Sequence, residues 1–329
     1  MASQSPVPSD DVLRTSQNVQ MLTIDSVHAG QRIDNYLLRV LRGVPRSRIY
    51  RILRKGEVRI NGARIKPDYR VQAGDVLRLP PLRMAVQESP LRPPDRVLDE
   101  LAQAIVHEDA EVLVINKPSG LAVHKGSGLD YGVIEALRFL RPQQAFLELV
   151  HRLDRDTSGC LLLAKTPQAL RYLHTALRTG AVDKRYLLLV AGQWQHGHKT
   201  VDLPLSKNVL QSGERRVVVS EQGRRAQTRF QPLTVWPRVS WLEAQLATGR
   251  THQIRVHAAA LGHPIAGDTK YGDREFNRWL KNQGLQRLFL HAHSINVAWG
   301  AHELAVSVPL DPTLQTVLDQ VFAAPAPQC

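Results

Sequence analysis

Cysteine is almost missing from this 329-residue chain: Cys160 lies in an apolar run and Cys329 is the last residue. Two cysteines so placed exclude a disulfide framework and a cysteine-built metal site. Long hydrophobic runs are missing too. None approaches the roughly 18 apolar residues of a transmembrane helix, and the N-terminus lacks a charged region followed by an apolar core. No membrane partner is therefore expected, and the cytoplasm is the expected compartment. Acidic residues are scarce, with 43 Lys and Arg against 30 Asp and Glu, a formal net charge of +13 and a pI near 10.1. The surplus is spread rather than blocked, and it points to a polyanionic partner such as nucleic acid or an anionic membrane, with nucleic acid ahead of the bland reading that the charge serves solubility alone. Dinucleotide fingerprints, phosphate loops and metal-ligand spacings are also absent, so no cofactor and no metal are expected.

What is present suits a soluble two-domain protein with a sizeable core, since 43% of residues are hydrophobic. Residues 1–18 are rich in Ser, Pro and Asp and are expected to be a disordered tail. Residues 19–80 read as a compact module: a short strand at 21–24, two helices, and strand pieces divided by Asn61-Gly62 and Ala73-Gly74-Asp75. Helical spacing puts Ile33, Tyr36, Leu37, Val40 and Leu41 on one face of the first helix. Ile49, Ile52 and Leu53 share a face of the second, which starts at Ser47. The other side of that second helix is basic, with Arg46, Arg48, Arg51, Arg54 and Lys55, and Arg59, Arg64, Lys66 and Arg70 continue the charge. A charge run is most often a solvated face, but one with scarcely any acid to answer it favours phosphate contact.

This module resembles the S4 RNA-binding domain through Gln31-Arg32-Ile33-Asp34-Asn35-Tyr36-Leu37, Ser47-Arg48-Ile49, Lys55-Gly56-Glu57-Val58-Arg59-Ile60-Asn61-Gly62 and Ala73-Gly74-Asp75-Val76. The resemblance implies a small αL-type module that lays a basic helical face on structured RNA. Arg32, Arg46, Ser47, Arg48, Arg51, Arg54 and Lys55 are the contact residues it implies. Arginine forks suit phosphate oxygens, and A-form RNA hides its base edges in a narrow groove.

Residues 81–104, with their prolines, read as a semi-extended linker, and 319–329 as a frayed tail. Between them, over 105–318, strand-like runs recur with few helical stretches. That order favours a mainly antiparallel α+β domain over regular βαβ winding. Four segments there hold more functional residue types than a fold needs. In His151-Arg152-Leu153-Asp154-Arg155-Asp156-Thr157-Ser158-Gly159, a carboxylate sits among arginines between two apolar strands, at a point where a loop can reach a cleft. The turn Asn116-Lys117-Pro118-Ser119-Gly120, with Leu121-Ala122-Val123-His124 after it, would present backbone and lysine to that cleft. Lys184-Arg185-Tyr186 opens a strand with an aromatic beside two cations. Thr248-Gly249-Arg250-Thr251-His252-Gln253-Ile254-Arg255-Val256-His257 enters a helix with Thr251 as expected N-cap and Gly262 at its C′ position.

Duller readings stand beside these. His252 and His257 are five apart, about 140° around a helix, so they diverge and the i, i+4 pair of a zinc helix is absent. Tyr186 alone reads as core, and Lys117 alone as solvated. Asp154 and Asp156 would make an acid–base pair of glycosidase type. Asp156, however, opens Asp-Thr-Ser-Gly and is better used accepting turn amides.

With Gly262-His263-Pro264-Ile265, Gly267-Asp268 and Leu290-His291-Ala292, these segments resemble the RluA-type pseudouridine synthases from about 105 to 310. The S4-like module in front, with Gln211-Ser212-Gly213-Glu214-Arg215 and Lys270-Tyr271-Gly272-Asp273-Arg274-Glu275-Phe276, narrows the likeness to a branch acting on several uridines of large-subunit (23S) ribosomal RNA. No catalytic position departs from the family's motifs. The resemblance implies a mixed-sheet catalytic domain that isomerises uridine to pseudouridine without a cofactor. It makes Asp154 the catalytic carboxylate, working through a covalent adduct or a glycal, with Arg255 as its cationic partner. Tyr186 would lie against the uracil and could act as general base, and Arg152 would fill the space of a base drawn from the stack. Lys117 and Arg250 would stand at the substrate-binding rim. The implied partner is 23S rRNA, free or in an assembling large subunit, met by a monomer. Two rivals are a non-catalytic S4-type rRNA-binding or ribosome-assembly protein, and an N-glycosidase that would release free uracil.

Overall fold

The computed structural model describes residues 18–41, 44–82, 92–126, 129–209, 215–299 and 302–323. Outside them lie the expected N-terminal tail except Asn18, residues 83–91 of the expected linker, 211–214 of the motif at 211–215, and 324–329 of the expected C-terminal tail. The chain divides between Leu91 and Arg92 into two compact units.

The first unit runs β1 (Gln20–Thr23), α1 (Ile33–Val40), α2 (Arg46–Lys55), β2 (Arg59–Ile60), β3 (Ala63–Arg64) and β4 (Val76–Leu79). Its antiparallel sheet has the order β1-β4-β2-β3. The apolar stripes read from helical spacing meet in one core, where Ile33, Leu37, Ile49, Ile52 and Leu77 are fully buried. Each such side chain contributes about 1.5–3 kcal/mol relative to exposure. Helix α2 stops at Gly56, whose φ of +69° suits a residue without Cβ; a Cβ there would also stand 2.1 Å from Arg64 Nε. Arg64 in turn donates to the carbonyls of Arg54 and Lys55, at 3.4 and 3.0 Å. Asn61 and Gly62, at φ of 50° and 80°, make the two-residue turn between β2 and β3.

The second unit comprises α3 (Asp95–Gln103), β5 (Ile105–Glu108), β6 (Val112–Lys117), α4 (Val133–Leu140), β7 (Glu148–Leu149), β8 (Ser158–Ala164), α5 (Pro167–Thr179), β9 (Val182–Ala191), β10 (Lys199–Asp202), β11 (Leu205–Val209) and β12 (Arg215–Val219). It continues with β13 (Gln227–Val235), β14 (Val239–Leu246), α6 (Gln253–Ala260), α7 (Arg274–Asn282), β15 (Leu290–Trp299), β16 (His302–Ser307) and α8 (Pro312–Ala323). Its main sheet has the order β10-β13-β14-β9-β15-β8-β6-β5, with β16 on β15 and β7 on β8. All its pairs are antiparallel except β15 with β8, so the mainly antiparallel α+β reading holds. Strands β6 and β8 read as unbroken apolar runs because both sheet faces are covered. Leu113 and Ile115 pack under α3 and α4, while Val112 and Val114 pack with α5 on the opposite face.

Two expectations need correcting here. The linker expected to run to 104 gives way at Asp95 to α3, which buries Leu98 and Leu101. Its Val97, Leu98, Leu101 and Ala104 have helical spacing, and burying that stripe outweighs the prolines before it. The expected tail from 319 begins inside α8, where Val321 is buried and Phe322 packs edge-on against Trp236.

Candidate active site

Asp154 lies on the loop between β7 and β8, and Thr157 closes the turn by donating its amide to the Asp154 carbonyl at 3.2 Å. The strand after it cannot drift. All seven residues of β8 are buried, and Gly159, at φ +108°, runs so close to β15 that a Cβ would meet the Ala292 carbonyl at 2.2 Å. Ser158 Oγ adds a side-chain tie, 2.9 Å from His291 Nδ1 and 2.5 Å from the Arg287 guanidinium that donates to it. Burial pushes His291 down to about 4 and His151 to about 3. Both rings are therefore neutral; His151 Nε2 accepts the Leu162 amide at 3.1 Å. Cys160 on the same strand is buried, its thiol pushed up to about 12 by burial.

From α6, Arg255 reaches Asp154 with NH1 at 3.2 Å from Oδ2. The same guanidinium is clamped from behind by Asp268, whose two oxygens accept from Nε at 2.8 Å and NH2 at 2.9 Å. Burial disfavours both charges. On Arg255, however, the hydrogen bonds and charge of Asp268, then of Asp154, more than offset it and raise its pKa. On Asp268, burial is likewise outweighed by the guanidinium and by the Tyr271 and Lys270 amides, which hold its carboxyl below its ordinary value. A buried, bidentate pair of this kind fixes the direction of the arginine. Both contacts on Asp154 fall on Oδ2, since His252 Nε2 stands 3.9 Å from that oxygen as well. No described residue hydrogen-bonds Oδ1.

The loop leading into α6 corrects the expected cap. The helix starts at Gln253, and its N-cap is His252 in the left-handed region at φ 54°, not Thr251. Gln253 is the cause: its buried side chain accepts the Arg250 amide and the Thr248 hydroxyl and donates to the Gln227 carbonyl and Thr228 Oγ1. That pulls the loop into a turn that ends on His252. Thr251 Oγ1 instead accepts from Arg152 at 3.4 Å. Gly262, at φ +81°, does stand just past the helix end as the spacing predicts.

Asp154, Thr251, His252, Gln253 and Arg255 line a cavity of about 610 Å³. Tyr186, on β9, forms part of its wall and is 6% exposed; burial, then the charge of Asp154, raises its pKa, so the phenol keeps its proton. Arg152 and Arg250 are exposed at the same cavity, Arg250 with its Nε on the Arg225 carbonyl at 3.0 Å. Lys117 is elsewhere, a correction to the expected rim. It is fully buried, and its ammonium donates to the carbonyls of Pro118, Leu121 and Arg155 at 2.7, 2.8 and 3.0 Å. Burial pushes it down to about 7. Three carbonyls matched to three N–H groups make it a tie between two loops rather than a contact for substrate.

Sequence reasoning missed Asp268, Lys184, His252 and Tyr271 as working parts. Lys184 is 9% exposed on the cavity wall, and its ammonium makes no hydrogen bond or ion pair with a described residue. Its strand position beside Tyr186 was the available signal. For Asp268 the signal was an acid set directly after Gly267 at a turn.

In the first unit, Arg46, Ser47, Arg51, Arg54 and Lys55 are exposed on α2, and Arg48 is half-buried. No described acid forms an ion pair with Arg48, Arg51, Arg54 or Lys55. Arg32 differs: it is bound to the buried Asp34 at 2.8 Å, which also accepts from Tyr50 at 2.9 Å. Among the described residues no group of three metal-ligating side chains could hold an ion, and no helix is long and apolar enough to cross a membrane.

Residues 111–260 match the RNA pseudouridylate synthase family, and residues 31–77 match the S4 domain. Ribosomal large subunit pseudouridine synthase C of Haemophilus ducreyi is 54% identical over 311 residues, spanning 94% of this chain and 97% of that protein. Its namesake from Escherichia coli is 52% identical over 309 residues, spanning 92% and 97%. Among solved structures, human RNA pseudouridylate synthase domain containing 4 is 27% identical with a TM-score of 0.57, covering 69% of this chain and 96% of that one.

Proposed function

Because the chain belongs to the RNA pseudouridylate synthase family, we propose that it isomerises uridines of large-subunit (23S) ribosomal RNA to pseudouridine, with Asp154 as the reacting carboxylate. The observation that carries this reading is the one-sided grip on Asp154. Arg255, locked by Asp268, holds Oδ2 and leaves Oδ1 for the sugar. The reaction breaks N1–C1′ and forms C5–C1′, while C5 loses a proton and N1 gains one. Nothing is oxidised or added, so a carboxylate and proton carriers suffice. Oδ1 can attack C1′ or take a proton from the sugar, and the grip on Oδ2 serves either route.

The target base must leave its stack, at a cost of roughly a few kcal/mol. Tyr186 offers it a buried aromatic face, and Arg152 at the mouth can fill the vacated space. Since the Tyr186 phenol is held protonated, stacking suits it better than service as a base. Arg250 at the mouth and α2 of the first unit, with Arg46, Ser47, Arg48, Arg51, Arg54 and Lys55, supply partners for RNA phosphates. The paired Arg32 contributes less. A non-catalytic RNA binder would have no use for the Arg255–Asp268 clamp. Action in the cytoplasm as a monomer, on free or assembling rRNA, completes the reading; a solution mass of one 36.9 kDa chain checks the monomer.

The test is turnover on a 23S transcript, with pseudouridine mapped chemically and RNA mass followed. New pseudouridine at unchanged mass is expected. Released uracil or unmodified RNA overturns the proposal.

A further inference from the structure

The His252 ring stands in a defined orientation that the isomerisation as proposed leaves unused. Its Nδ1 is 2.8 Å from the Tyr271 hydroxyl, and that hydroxyl already accepts the Val217 amide of β12 at 2.9 Å. The Tyr271 hydroxyl has no other hydrogen-bond partner among the described residues. Its proton therefore goes to Nδ1, because a part-buried O–H left unpaired is costly. With Nδ1 an acceptor, a neutral imidazole carries its proton on Nε2. That nitrogen faces Asp154 Oδ2 at 3.9 Å, about 1 Å beyond a hydrogen bond, the kind of gap that closes when a site fills. Burial lowers the His252 pKa against the pull of Asp154, which keeps the ring neutral. The backbone is committed as well, since His252 occupies the left-handed region, which residues other than Gly seldom adopt and where Asn, Asp and His are the commonest exceptions. Tyr271 meanwhile places its ring 5.1 Å from the Arg255 guanidinium carbon, so one side chain orients both groups aimed at Oδ2.

We propose that His252 is a positioning residue for the isomerisation. Its Nε2–H, aimed by Tyr271, joins Arg255 on Oδ2 and keeps Oδ1 as the oxygen that meets the sugar. This rests on the function proposed above, and single-turnover rates at saturating RNA, measured beside RNA affinity, separate the two. His252→Leu is expected to lower the rate constant about tenfold while RNA affinity stays within about twofold. His252→Gln, whose amide nitrogen can take the place of Nε2, should recover the rate to within about threefold of wild type. Tyr271→Phe keeps the ring and frees the tautomer, and should cost about threefold to fivefold. His252→Asn accepts the left-handed backbone but stops short of Asp154, so it should lose as much as the leucine variant. A wild-type rate for His252→Asn, or equal losses for glutamine and asparagine, overturns the inference, even should the leucine variant not fold. Asp154→Asn, run alongside, tells the two failures apart. If it is inactive while His252→Asn is fully active, only this inference falls; if it turns over, the assignment of Asp154 falls first.

Discussion

On α2 of the N-terminal unit, Arg46, Arg51, Arg54 and Lys55 stand in solvent. In the C-terminal unit, by contrast, Arg255 and Lys184 on the wall of the candidate cavity are 7% and 9% exposed, and Lys117, tied between two loops outside it, is 0% exposed. The first group keeps its hydration until a phosphate replaces counterions, so its members are nearly interchangeable and act together. The second has lost its water. Arg255 and Lys117 are held by named partners at fixed distances, and such a cation cannot be moved without leaving something buried and unpaired. Affinity can be spread over a surface, whereas aim has to be built residue by residue.

The contrast predicts unequal losses. The largest follows from the group that Arg255 grips: Asp154→Asn should lower kcat about 10⁴-fold or more, equivalent to ~5 kcal/mol, with RNA affinity unchanged within about twofold. Single-turnover assays and a binding isotherm check both halves, and residual turnover near wild type would remove the centre of the comparison. Next, Asp268→Asn leaves the buried Arg255 with Asp154 as its one balancing carboxylate among the described residues. A cost of about 3–5 kcal/mol is expected, read as a lower urea midpoint. A cost under about 1 kcal/mol would make this ion pair no different from a surface one.

Acid should separate the units in sequence. His151 and His291, with values pushed to about 3 and about 4 from 6.5, are protonated in the unfolded chain before the folded one. Their stabilisation is complete above pH 6.5 and is lost as pH falls toward those values, by up to about 1.4 kcal/mol per pH unit for each. In the N-terminal unit, hydrogen bonds from Arg32 first, against burial, lower Asp34 below 3.8. What it contributes persists until pH falls through that range. The five tryptophans all lie beyond residue 190. Their emission should therefore change at higher pH than the remaining helical circular dichroism, and coincident transitions would contradict the expected order. The smallest effect belongs to α2. Replacing Arg48, Arg51, Arg54 and Lys55 together by Ala should weaken RNA binding about tenfold and flatten the salt slope by about 0.7–0.9 for each phosphate no longer neutralised. Filter binding across a salt series measures it, and kcat at saturating RNA should not change.

How legible each part was in the sequence follows the same division. Helices α1 and α2 declare themselves by apolar spacing, and the turn at Asn61-Gly62 by its backbone demands, because these are local signals. The stretch around Asp154 stood out since a carboxylate between buried strands is chemically unusual. Its partners are another matter. Asp268 lies far along the chain from Asp154, and no local period marks an acid that will be buried against an arginine. Lys117 looked solvated because its burial depends on two loops closing over it. Helix α3 was hidden by the prolines before it, and the left-handed His252 by a Gln253 side chain that ties the loop to Thr248 and β13.

Cys160 turns the buried strand β8 into its own gauge. With its thiol 2% exposed and pushed up to about 12, it offers almost no thiolate to an alkylating reagent while the strand is in place. Once Cys329 is replaced by serine, the rate of labelling at neutral pH therefore clocks how often the sheet under the catalytic loop comes apart, and bound RNA should slow that clock.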